Sequence, residues 1–98
     1  MNMQNMMAQA QKLQKDIQKK QAEIDETIFE GNSEWVKLTM SGKRDIKSLN
    51  INKDILKDED DLEALEDMVI IAFNDAMKKI EDETEKKLGM YGNLGGLM

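Results

Sequence analysis

The stretch from Leu65 to Ile80, LEDMVIIAFNDAMKKI, limits what this chain can fold into more than any other part of it. Leu62, Leu65, Val69, Ala72, Phe73, Ala76, Met77 and Ile80 recur at steps of three and four, the period of an amphipathic helix with one buried stripe. Met68, Ile70 and Ile71 fill the positions between, so for about two turns the helix is apolar almost all round and asks for burial on more than one side. One thin sheet cannot supply that. In a chain of 98 residues the most economical second cover is another copy of the chain, so a homodimer through Met68, Val69, Ile70, Ile71 and Phe73 is predicted.

The remaining elements follow from their periods. Met3, Met6, Ala10, Leu13, Ile17 and Ile24 fall near a heptad spacing, broadened by Met7 and interrupted by Lys20 and Thr27, which predicts a first helix from about Met3 to Asp25. A short strand over Thr27 to Glu30 and a turn at Gly31-Asn32-Ser33 come next. Trp35 to Met40 alternates, and Leu49 and Ile51 alternate in a third strand, joined through a turn at Ser41-Gly42-Lys43. The pairing parity places Val36, Leu38, Leu49 and Ile51 on one face, toward the helices. It places Trp35, Thr39 and Ile46 on the other, a face too apolar for open water and so a second candidate for partner contact. After a connection over Asn52 to Lys57, the last helix is expected from Asp61 to about Lys87, with Asp60 as N-cap, Glu63 three residues on, and Gly89 as the stop. The fold class is α+β: helix, three-stranded antiparallel sheet, helix. Helices of roughly 34 and 40 Å, at 1.5 Å per residue, exceed a compact domain whose radius of gyration would be near 13 Å, so both overhang the sheet as arms. Residues 1–88 read as one domain, and the glycines at 89, 92, 95 and 96 predict a flexible tail over 89–98, disordered from Met90 on.

Composition excludes several functions. Without cysteine there is neither a disulfide framework nor a thiolate metal site, and without histidine the commonest general base and metal ligand are both missing. No enzyme, cofactor, metal or small-molecule substrate is expected. The acids from Asp58 to Asp67 lack the spacing of a calcium loop and instead complement the dipole of a helix start. Asp75, a lone carboxylate, reads as a cap or a hydrogen-bond partner for a facing strand. No apolar run approaches the roughly 20 residues of a membrane span, and the N-terminus lacks the layout of a secretory signal, so a soluble cytoplasmic chain is expected.

Net charge is −6, unpromising for nucleic acid taken alone, but its distribution is uneven. Residues 1–50 carry +1 and residues 51–98 carry −7, and within residues 1–22 four lysines face Asp16 alone. Lys12, Lys15 and Lys19, spaced three and four apart, project from one side of the first helix with Lys20 beside them. Without further information this is a solvated helix face.

The residues quoted also carry a family resemblance. LEDMVIIAFNDAMKKI resembles the LED-(apolar)-AAFNDA-(basic) signature of the YbaB/EbfC family of bacterial nucleoid-associated proteins, with Asn74-Asp75 after Ala72-Phe73 its most specific part. AQAQKLQK in the first helix, Glu30-Gly31, the VKLTMSGK hairpin and a Gly-rich tail after Lys86-Lys87 extend the likeness over nearly the whole chain. The several glycines usual between Gly31 and the VKLT strand are replaced by Asn32-Ser33-Glu34-Trp35, which requires a tighter first turn. The resemblance implies a nucleoid-associated dimer in the cytoplasm whose projecting helices hold double-stranded DNA like tweezers. On that reading Lys12, Lys15, Lys19 and Lys20 would meet phosphate, aided by Lys43, Arg44 and Lys47 and secondarily by Lys86 and Lys87. Arg44 is the sole arginine, so base readout would be weak. The alternative is a chaperone-like clamp holding apolar clients between helical arms. Lysines accessible on the first helix would favour DNA, and Met3, Met6, Met7 and Leu13 exposed on its inner side would favour a protein client.

Overall fold

A computed structural model describes residues 2–91. The chain runs α1 (Met3–Glu26), β1 (Ile28–Asn32), β2 (Val36–Ser41), β3 (Ile46–Ile51) and α2 (Glu59–Leu88), with 3-10 turns at Lys53–Ile55 and Gly89–Tyr91. This is the α-β-β-β-α architecture expected from the periodicity.

The local determinants are short-range. Asn2 caps α1 by accepting from the Asn5 N–H at 2.9 Å, and Thr27 closes it with its hydroxyl on the Glu23 carbonyl. The start of α2 lies two residues earlier than the sequence suggested. Asp58, extended at φ −147°, is the N-cap, and it exchanges hydrogen bonds of 3.1 Å with Asp61 in a capping box. Asp61 also accepts from the Lys57 N–H at 2.8 Å, so its carboxylate satisfies two otherwise orphaned amides, which Glu63 from the Asp60 register does not. The stop at Gly89 is as expected.

The sheet is antiparallel with β2 in the centre and β1 and β3 as edges. Val36 pairs with Ile51 and Leu38 with Leu49, the parity expected. Nearer the hairpin a bulge intervenes: Thr39 pairs with Ser48 but Met40 with Ile46, leaving Lys47 as the extra residue. Ile46 is thereby moved off the face of Thr39 and opposite Met40. Trp35 stands in the bend before β2, half-buried against the core of its own protomer. The outward face keeps Glu30 paired with Lys37 at 3.4 Å, Thr39 bonded to Ser48 at 2.7 Å, and Asn50, with Ile28 its one exposed large aliphatic residue. That face is mainly polar, not apolar as expected from simple alternation.

The other face carries α2. Ile24, Phe29, Val36, Leu38, Met40, Ala72, Ala76 and Ile80 form the core, with Leu65, Met68, Val69 and Met77 packed at its margin. Gly31 lies inside β1 and not in a turn: a Cβ there would collide with the Ala72 carbonyl and come within 2.8 Å of the Ala76 Cβ. Glycine on the strand and alanines on the helix thus let α2 lie directly on β1. Gly42 plays the same part at the hairpin, where a Cβ would run into the Ile24 carbonyl, and its N–H bonds the Thr27 carbonyl at 3.0 Å. The molecule measures 71 × 20 × 16 Å with a radius of gyration of 19.5 Å, well above the compact value, because the helices overhang the sheet in the way their lengths required. Of the expected tail, Gly89–Tyr91 forms a turn continuing from α2, and the remainder lies outside the described residues.

Candidate nucleic-acid interface

The α1 helix leaves the body at Ile24, which is fully buried, and becomes progressively exposed toward its N-terminus. At 100° per residue Lys12, Lys15 and Lys19 fall within about 60° of one another, on the side opposite Met6, Ala10, Leu13 and Ile17. All three are exposed, and among the described residues none takes part in an ion pair. They form a free basic row along an arm.

Lys20 does not belong to that row. It sits three residues after Ile17 and four before Ile24, hence on the ridge that turns toward α2, and it is half-buried. Its Nζ donates to the Tyr91 hydroxyl at 3.2 Å and to Met90 Sδ at 3.3 Å. Lys87 is likewise engaged, 3.8 Å from both Glu23 and Glu83, whereas Lys86 is exposed. Lys43, Arg44 and Lys47 are exposed at the hairpin tip beside the base of α1, but Lys43 and Lys47 share a shallow hollow with Asp25, Glu26 and Asp45, which dilutes their positive field. Arg44 has φ 74°, the left-handed position of a three-residue hairpin loop that glycine usually fills.

Asp75 has the role expected of it. Its Oδ2 accepts from the Asn32 N–H at the end of β1 at 2.9 Å and lies 3.3 Å from Lys79 Nζ, which also donates to the Glu30 carbonyl at 2.6 Å. The Asn32 amide holds the Asp75 carboxyl below its ordinary range against an opposing desolvation, with Lys79 adding to the lowering. The acids from Asp58 to Asp67 begin α2, and among the described residues no group of three or more carboxylates could hold a metal ion. Nor is any helix among these residues long and apolar enough to cross a membrane.

Each discriminating feature is present in part: Lys12, Lys15 and Lys19 are accessible but Lys20 is half-buried, and Met3, Met6 and Met7 are exposed, at 78, 56 and 59%, but Leu13 is half-buried. Comparison with known proteins bears on the choice. A model of the YbaB/EbfC DNA-binding family matches residues 1–95. The chain belongs to the YbaB/EbfC DNA-binding family. Relatives named nucleoid-associated proteins include one from Lactococcus lactis subsp. cremoris, 54% identical with 93% of each chain covered. One from Streptococcus suis is 47% identical over the same shares, and one from Ligilactobacillus salivarius is 41% identical over 99% of this chain and 95% of that protein. The crystal structure of an uncharacterized protein from Helicobacter pylori shares the fold, with a TM-score of 0.71 at 20% identity over 88% of this chain and 91% of the other. YbaB/EbfC membership places the chain in a nucleoid-associated DNA-binding family, not a family of enzymes, and it does not favour the clamp for apolar clients.

The motif residues of the YbaB/EbfC signature acquire physical roles here. Ala72 and Ala76 admit Gly31, and Asp75 ties the helix to the strand end, while Phe73 and Asn74 between them are exposed. The part sequence reasoning missed is Tyr91. As the sole tyrosine, outside any periodic segment, it offered no signal of its contact with Lys20 across 71 positions.

Proposed function

We propose that the protein binds double-stranded DNA as a homodimer in the bacterial cytoplasm, at the nucleoid, with weak sequence selectivity and mainly through phosphate contacts. The observation that carries this reading is the free row of Lys12, Lys15 and Lys19 on an arm remote from the acidic start of α2. Lys43, Arg44, Lys47, Lys86 and Lys87 are the further cations of the candidate set, whereas the half-buried Lys20 is taken up by Tyr91 and Met90. One arginine in the whole chain leaves little means of reading guanine edges.

Dimerisation is supported by apolar surface that one protomer leaves uncovered. On α2, Leu62, Ile70, Ile71 and Phe73 are 54, 57, 51 and 37% exposed, and on β3, Ile46 and Leu49 are 54 and 48% exposed. The helix lies over β1 and β2 and leaves Ile46 and Leu49 of β3 without a roof. The proposed interface therefore joins Met68 to Ile71 and Phe73 of α2 with Ile46 and Leu49 on the same face of the sheet and Trp35 in the bend before β2, whereas Thr39, on the opposite face, is left out of it.

The test is a mobility-shift titration of duplex DNA at several salt concentrations. A triple Lys12, Lys15, Lys19→Gln variant should bind weakly and show a flatter dependence of log affinity on log salt, by about 0.9 for each phosphate no longer neutralised. A control with Lys53 and Lys57 changed should bind like the parent. Equal binding and equal slope in both would remove α1 as the DNA surface.

A further inference from the structure

We propose that Lys20 and Tyr91 form a clasp that sets the direction of the α1 arm, making Lys20 a positioning residue and not a phosphate ligand. The Lys20 ammonium lies 3.2 Å from the Tyr91 hydroxyl, 3.3 Å from Met90 Sδ and 5.0 Å from the centroid of the tyrosine ring. Two of its three donors are thus committed within the protomer. One turn further toward the body, Glu23 of α1 meets Lys87 of α2 at 3.8 Å. These two ties close the end of α2 onto α1. N-terminal to Lys20, the described residues of α1 make no polar contact with α2; Ile17 and Leu13 are still half-buried, residues 3–12 are exposed throughout, and the arm reaches roughly 26 Å beyond the clasp.

An angular freedom at the base of such an arm displaces its lysines in proportion to their distance from the clasp, which is roughly 12 Å at Lys12. Fixing the base before DNA arrives removes part of the ordering cost of binding, so loss of the clasp weakens affinity while the set of phosphates neutralised stays the same. The affinity part of this inference rests on the DNA-binding reading, and the arm-motion part does not.

The experiment uses the full chain with a fluorophore on Gln9→Cys, unambiguous because the sequence has no other cysteine. Time-resolved anisotropy of the parent should decay with the tumbling of the whole molecule. Tyr91→Ala and Lys20→Gln should each add a fast nanosecond component, and Tyr91→Phe, which keeps the ring and loses the hydroxyl, a smaller one. On duplex DNA, Lys20→Gln should raise Kd about three- to tenfold with the salt slope of the parent, whereas Lys19→Gln should flatten the slope. An unchanged anisotropy decay in Tyr91→Ala, or a slope flattened in Lys20→Gln as in Lys19→Gln, would overturn the clasp. If the parent itself binds no duplex, the DNA-binding reading fails and the anisotropy arm alone decides this one.

Discussion

At the scale of single residues, the contact between α2 and β1 rests on the absence of side-chain volume and on one carboxylate. Gly31→Ala would place a Cβ against the backbone of Ala72 and the Cβ of Ala76, neither of which can swing away. A loss of about 3 kcal/mol, the upper end of overpacking, is expected in urea unfolding. Asp75→Ala removes the acceptor for the Asn32 amide and the partner of Lys79. The Asp75 side chain is about a third exposed, at 36%, so solvent screening limits the expected loss to about 1 kcal/mol. The pH dependence has a defined sign. The carboxyl is depressed in the folded state, so its contribution is complete above the unfolded pKa of about 3.9 and disappears as pH falls through the lower folded value. Parent and Asp75→Ala should therefore differ most in melting temperature near neutrality and converge in acid.

Among the elements, the β2–β3 hairpin combines strain with charge. Arg44 occupies a left-handed conformation at φ 74°, which costs a non-glycine residue about 1 kcal/mol or more, while its guanidinium is exposed at the tip. Arg44→Gly should relieve the strain and raise stability by about 0.5–1 kcal/mol, part of the gain being offset by the freer unfolded chain. If the guanidinium meets phosphate, the same variant should bind DNA more weakly with a flatter salt dependence. A stabilised variant with unaltered binding would separate the hairpin from the DNA surface. The α1 arm differs in kind: its lysines are unstrained, and their part in binding depends on the direction in which the helix leaves the body.

On the scale of the whole molecule, an elongated protomer with exposed Ile70 and Ile71 distinguishes its possible assemblies sharply. In an isolated protomer Ile71→Asp would put a carboxylate into water at little cost. In the proposed dimer it would bury an unpaired charge at a cost of several kcal/mol, comparable with the whole stability of a domain this size. Light scattering at micromolar concentration should therefore give twice the chain mass for the parent and a reduced mass for Ile71→Asp. Trp35 adds a second readout, since its half-buried indole should emit to the blue of free tryptophan, and dissociation should shift it redward if the partner covers it. With net charge −6 and seven acids from Asp58 to Asp67, duplex DNA should approach from the α1 side.

Element order, helix lengths, the helix-facing side of the sheet and the pairing of Val36 and Leu38 with Ile51 and Leu49 were legible in the sequence, because each follows from periods of 3.6 and 2 set by local geometry. The strand-facing role of Asp75 was legible too, since a lone carboxylate on an apolar face needs a donor. What tertiary packing decided lies beyond the reach of a period. The bulge at Lys47 shifts Ile46 by one step, and no pattern of apolar residues announces a bulge. Glycine at position 31 reads as a turn until a helix is seen lying on it. Acids from Asp58 through Asp61 all suit a helix start, and only the paired amides of Lys57 and Asp58 select Asp58 over Asp60 as the cap. Four lysines on the first helix look alike in sequence, and the approach of the far end of α2 makes one of them a tether and leaves three free. Short-range geometry thus determined the elements, whereas the meeting of residues many tens of positions apart decided which of their side chains remain available to a partner.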